Sequence, residues 1–252
     1  MEEKNIKNEF NYSWIIVSLG FIMVFVTLGF CSSNKGFYLD AITNALGVER
    51  GLFSIGDSIR FITTAVVSMF FGTLVNKFGT KKLILAGFSC LIICMLLYSF
   101  GTSLIYFYIG NFFLGAGLSW TTTSMVGCIV NKWCFEKKGT IMGTVLAANG
   151  LGGATAIQIV GPIIESGVWG YRTAYRLVAA VLFATALLIV FLFRENPKGK
   201  EKTEIVIEKK KSTAQSWDGI EFSEVKKSSY FYLAAFAVMR VYEIKSVNTD
   251  LL

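Results

Sequence analysis

Lys35 follows an apolar run of about 20 residues that begins at Trp14, and Asp57 and Arg60 interrupt a second such run. A charge at membrane depth is costly unless it is paired or hydrated, so each of these groups is a candidate for chemistry. Lys35 suits an anion in a desolvated place, or else it snorkels its ammonium to an interface. Asp57 and Arg60 are spaced i, i+3, on one helix face, and can pair. If their helix starts near Leu52, Arg60 lies roughly 12 Å along it. The pair serves either as a structural ion pair near a helix end or as a contact to a solute.

Further polar groups lie inside apolar stretches. Trp120, flanked by Ser119, Thr121, Thr122 and Thr123, brings hydrogen-bonding and aromatic groups into a span, either for helix–helix bonding or to line a cavity. Asn149 and Gln158 are separated by about 900° of helical rotation, so only one of them can face a central path. Arg172 and Arg176 share a face near a helix end, where snorkelling is expected. The candidate substrate-binding set is Lys35, Asp57, Arg60, Trp120 and Asn149.

Several chemistries are excluded. The chain contains no histidine, so no imidazole-bound zinc or haem can be assembled. Its 5 cysteines lie within or beside apolar spans, and Cys90 and Cys94, at i, i+4, read as small apolar packing. No nucleophile–base pair, metal cluster or phosphate-binding loop is visible, so no enzyme activity and no cofactor are expected.

The elements that carry these residues follow from composition. Of 252 residues, 54% are hydrophobic and 16% charged, and mean hydropathy is +0.57. Soluble domains carry about a quarter charged residues, so the excess apolar surface requires lipid. Six continuous apolar stretches, at 14–33, 55–75, 83–101, 104–130, 140–164 and 174–193, each have the length of a spanning helix. Barrel strands would alternate over about ten residues instead. The expected fold class is an all-α membrane protein, a six-helix bundle with the start of a seventh helix. The first run has no small-residue cleavage site after it, so it is expected to remain in the mature chain.

The formal charge of +7 is unevenly placed. Lys4, Lys7, Lys77, Lys81, Lys82, Lys132, Lys137 and Lys138 fall on one side of the alternating spans, with Lys35, Arg50, Arg172 and Arg176 on the other. By the positive-inside rule this orients a multi-pass protein of the cell membrane with a cytoplasmic N-terminus, and it leaves no case for nucleic acid. Short links at 76–82, 102–103 and 131–139 imply that successive helices are neighbours, and a longer outer loop is expected at 34–50.

The organisation reads as a tail at 1–13, the bundle at 14–193, a charged cytoplasmic linker at 194–228 and an incomplete seventh helix with its tail at 229–252. The seventh apolar run gives out after Met239, too short to span, which is the pattern of half of a two-part bundle. In lipid, helices associate by close approach of small residues, and Gly110, Gly115, Gly117, Gly139, Gly143 and Gly150 with Gly152 and Gly153 offer such surfaces in the fourth and fifth spans.

The loop after the second span reads Gly72-Thr-Leu-Val-Asn-Lys-Phe-Gly-Thr-Lys-Lys82. It resembles the loop 2–3 motif of the major facilitator superfamily, with Gly72, Leu74, Lys77, Phe78, Gly79, Lys81 and Lys82 in place and Asn76 standing where an acid is usual. That acid is associated with an inter-domain latch, which an amide can join only by neutral hydrogen bonds. The stretch from Gly29 through Lys35 to Asp40 looks like the end of helix 1 in monocarboxylate transporters and their oxalate:formate antiporter relatives, although Asn34 replaces a common proline. The loop 131–139 with the glycines after it is also similar to those carriers, as is Asn111 where many sugar and drug carriers have arginine. The resemblance covers residues 14–233.

It implies the amino-terminal half of a twelve-helix carrier that works by alternating access on small organic anions, coupled to a proton or counter-anion. It further implies that Lys35 takes part in proton-linked substrate binding, and that a C-terminal half or a second copy supplies the other wall. Carriage of another solute class, or a truncated chain that does not transport, remain the alternatives.

Overall fold

The computed structural model describes residues 14–133 and 138–193. Expectations for the tail, the linker and the seventh helix, and for Lys137 and Cys134, fall outside those residues. Among the described residues, six helices are long and apolar enough to cross a membrane: α1 (Trp14–Leu46), α2 (Arg50–Met69), α3 (Thr80–Phe100), α4 (Leu104–Trp133), α5 (Lys138–Glu165) and α6 (Gly170–Leu192). All regular structure among the described residues is helical, as continuous apolar runs in lipid require, because only an intrasegment ladder satisfies the backbone there.

Two boundaries differ from the sequence reading. The loop expected at 34–50 is mostly helix, since α1 resumes over Lys35–Leu46 and ends at Gly47 in the left-handed region. At 1.5 Å per residue this places Lys35 about 16 Å inside the end of α1. In addition, α2 breaks at Phe70 and a short helix, Phe71–Phe78, extends it. The expected loop 76–82 therefore shrinks to a turn at Gly79, whose φ of 82° and ψ of 163° only glycine adopts freely.

Within α1 the helix is locally irregular. Phe25–Phe30 is wound as a π-helix, and residues 32–34 form a turn before helix resumes. Both Ser32 N and Ser33 N bond to Leu28 O, and the buried Asn34 side chain donates to Gly29 O at 2.9 Å. The polar triplet Ser32-Ser33-Asn34 thus satisfies the groups that the break releases.

The main helix pairings are α3 with α4, α2 with α4, α3 with α6, and α1 with α5. The short link at 102–103 does join main partners, α3 and α4, whereas the other three pairings are between non-successive helices, selected by close-approach sites. A Cβ on Gly29 would lie 2.5 Å from the backbone of Gly152, so α1 and α5 cross backbone to backbone at this pair of glycines. A Cβ on Gly115 would lie 2.6 Å from Arg60 O, which seats α2 on α4. Gly110, Gly117 and Gly153 are similarly crowded. Gly139, Gly143 and Gly150, expected to pack, face open space among the described residues.

The core is built from the inward faces of all the spans, with Phe88, Phe107, Tyr171, Met125 and Leu182 among its fully buried side chains. Helix α2 lies at the margin, with Phe61, Ile62, Val66 and Met69 exposed. In a membrane-spanning chain such apolar exposure is a surface for lipid or for another helix.

Candidate functional site

The α1 break delivers Lys35 to the first turn of the resumed helix, facing α2. Its ammonium bonds to the Asp57 carboxylate, and Asp57 lies 3.7 Å from Arg60 Nε one turn along α2. Arg60 Nη1 donates to Ser32 Oγ at 3.0 Å, so the guanidinium is also fixed to the α1 turn. Its Nε is buried and has no hydrogen-bond partner. Lys35 lies 5.8 Å from the Phe53 ring centroid and Arg60 4.5 Å from that of Phe61, so both cations rest on aromatic faces.

One carboxylate between two cations leaves a positive charge uncompensated. In a low-dielectric place that surplus favours a single negative charge from a ligand. A cavity of about 10 Å³, room for about one water, adjoins Lys35 and is lined by Tyr38, Phe53, Tyr98 and Tyr175. Tyr38 stacks on Tyr175 with ring centroids 4.2 Å apart, and Tyr98 stacks on Phe107 at 5.1 Å. The Tyr38 hydroxyl is buried in this aromatic wall without a hydrogen-bond partner.

The other sequence candidates separate from this cluster. Asn149 accepts from Ser33 Oγ at 2.9 Å, next to the α1 break, whereas Gln158 is exposed on the opposite face of α5. Trp120 packs on the core beside Gly87 of α3, and its Nε1 is buried without a partner. The hydroxyls around it bond chiefly within their own helix, Ser119 to Gly115 O, Thr121 to Gly117 O and Thr122 to Leu118 O. Arg172 and Arg176 do more than snorkel. Arg172 Nη2 donates to Gly101 O at 3.2 Å and Arg176 Nε to Ser99 Oγ at 3.0 Å, which ties α6 to the end of α3.

At the turn after α2, Lys81 Nζ donates to Val190 O at 2.8 Å, capping a carbonyl in the last turn of α6. Lys77 lies 5.6 Å from the Phe78 ring, while Gly72, Asn76 and Lys82 are exposed and Leu74 packs partly against the core. A larger open groove of about 680 Å³ between α1 and the end of α5 carries Asp40 and Glu165. Its acidic lining does not suit an anion, and Asp40 is already paired with Arg50 at 2.8 Å.

Sequence reading missed Ser32, Tyr38, Phe53, Tyr98 and Tyr175. The one available signal was the polar triplet before Lys35, which marks a helix interrupted rather than ended.

Comparison with known proteins agrees with this architecture. The family model described as Major Facilitator Superfamily matches residues 11–244. A Bacillus subtilis (strain 168) protein described as an uncharacterized MFS-type transporter, YcxA, is 24% identical over 233 residues, 89% of this chain and 53% of its own length. The multidrug resistance protein MdtG of Salmonella paratyphi C is 30% identical over 165 residues, 65% of this chain and 39% of its own. MdtG of Klebsiella pneumoniae is 28% identical over 155 residues, covering 61% and 36%. The chain thus spans about half the length of the curated relatives it matches.

Proposed function

The chain belongs to the major facilitator superfamily, and we propose that its six helices form one wall of a secondary transporter for small organic monoanions, with Lys35 receiving the charge and Arg60 supplying the second cation of the cluster. The observation that carries this reading is the pairing of two cations with the single carboxylate of Asp57. A neutral sugar gains little from that surplus, and a cationic drug is repelled by it.

The protein sits in the cell membrane with its N-terminus in the cytoplasm, because lysines collect on the side that carries Lys77, Lys81 and Lys82. A path at a repeat interface needs two walls, and a second six-helix half or a second copy supplies the opposing one. Rocking of one wall against the other, coupled to a proton or counter-anion, then alternates access to the Lys35 cluster.

Drug export is a second reading, favoured by the likeness to proteins named for multidrug resistance. Equilibrium binding to the purified chain separates the two. Radiolabelled L-lactate should bind saturably and be displaced by other monocarboxylates, while ethidium should not compete. Saturable ethidium binding without lactate binding would replace the anion reading by the drug reading.

A further inference from the structure

We propose that Asp57 is an internal occupant of the carboxylate place on Lys35, so that a bound anion must displace it onto Arg60. This rests on the reading of Lys35 as an anion site, and it reverses the usual expectation for a residue in such a site. Asp57 would oppose binding rather than assist it.

Three observations meet here. The Asp57 carboxylate already makes the bond to the Lys35 ammonium that a substrate carboxylate would make. A landing place exists beside it, because Arg60 Nε is buried, has no hydrogen-bond partner and lies 3.7 Å from Asp57 Oδ1. Closing that gap to an ordinary charge-assisted bond takes a shift of about 1 Å, which a small χ rotation supplies. The landing place is also held still, since Ser32 Oγ accepts from Arg60 Nη1 and the Phe61 ring lies against the guanidinium.

Displacement therefore exchanges one partner for another without stranding a charge. Before binding, Asp57 neutralises Lys35 and the surplus positive charge lies on Arg60. Afterwards the ligand neutralises Lys35 and Asp57 neutralises Arg60, and the cluster is balanced. The three groups are partly buried, and a charge left alone there is costlier than a paired one, so this balance favours a monoanion over a dianion. No proton transfer or covalent step is needed.

The test uses acetate as probe, with acetamide as its neutral control, and reads binding and thermal stability of the purified chain in detergent. Asp57→Ala should unfold at a lower temperature than the wild type, because two cations lose their counter-ion. Acetate, but not acetamide, should restore that loss and bind about tenfold more tightly than to the wild type. Asp57→Asn, which keeps the side-chain shape, should show the same tightening.

If wild type binds acetate and both variants bind it equally or more weakly, Asp57 is no competitor and the inference falls while the anion reading stands. If the variants bind acetate and the wild type does not, Asp57 closes the place without being displaced, and both the displacement and the anion reading of the native site fall. If none binds acetate, both fall. Arg60→Gln supplies a further check, because removal of the landing place should weaken acetate binding in the wild-type background and have less effect in Asp57→Ala.

Discussion

Ser33, in the turn that interrupts α1, donates its hydroxyl to the Asn149 side-chain oxygen on α5 at 2.9 Å. The bond joins two helices whose backbones already meet at Gly29 and Gly152, so the irregular part of α1 is anchored at two successive points. In a double-mutant cycle, Ser33→Ala and Asn149→Ala should couple by about 0.6 kcal/mol, the usual scale for interhelical bonds in membranes. Thermal unfolding of the four proteins in detergent measures it, and additive effects would mean the bond contributes nothing.

Gly29→Val or Gly152→Val should destabilise the bundle by about 1–3 kcal/mol or more, because the added carbons meet backbone rather than a movable side chain. Gly143→Ala, with open space around it, should leave stability within about 0.5 kcal/mol or improve it through helix propensity. Equal losses at Gly143 and Gly152 in an unfolding assay would refute the assigned crossing.

Gly79→Ala should cost about 1–3 kcal/mol, since its backbone lies in a region that a Cβ disfavours. By contrast, Gly72→Ala lies in a helix with nothing near it and should be tolerated. The two glycines of the motif are thereby separated into one that shapes a turn and one whose smallness is not used for packing among the described residues. A melting comparison of the two variants decides this.

The existence of the spans was legible because continuous apolar runs have few interpretations. What escaped was how the helices bend and where they meet. Asn34 and Lys35 looked like the end of a helix, since polarity after an apolar run ordinarily marks an interface. In the structure the same residues close a turn in mid-helix, and α1 continues to Leu46. The Asp57–Arg60 pair was readable from i, i+3 spacing, but its link to Lys35 was not, because helix-to-helix register is a tertiary property. Gly143 and Gly152 are alike in sequence, and only the path of α1 distinguishes them. The aromatic wall was hidden because Tyr98 and Tyr175 carry no pattern that separates a lining residue from a core residue.

Orientation is tested by single-cysteine labelling in a background without the native cysteines. A membrane-impermeant thiol reagent applied from outside should modify a cysteine at Asn44 and spare one at Ser212. The reverse pattern would invert the topology drawn from the lysine distribution.

The central claim is that Lys35 holds the charge of a small organic anion, and the most direct measurement is equilibrium binding of radiolabelled L-lactate to the purified wild type and to its Lys35 variants. Lys35→Gln should lose saturable binding while inserting and folding normally by circular dichroism, because the ammonium that pairs with the carboxylate is gone. Lys35→Arg should retain binding at reduced affinity, since it keeps the charge in a different geometry. Unchanged lactate binding in Lys35→Gln would contradict the account and remove this residue from the site.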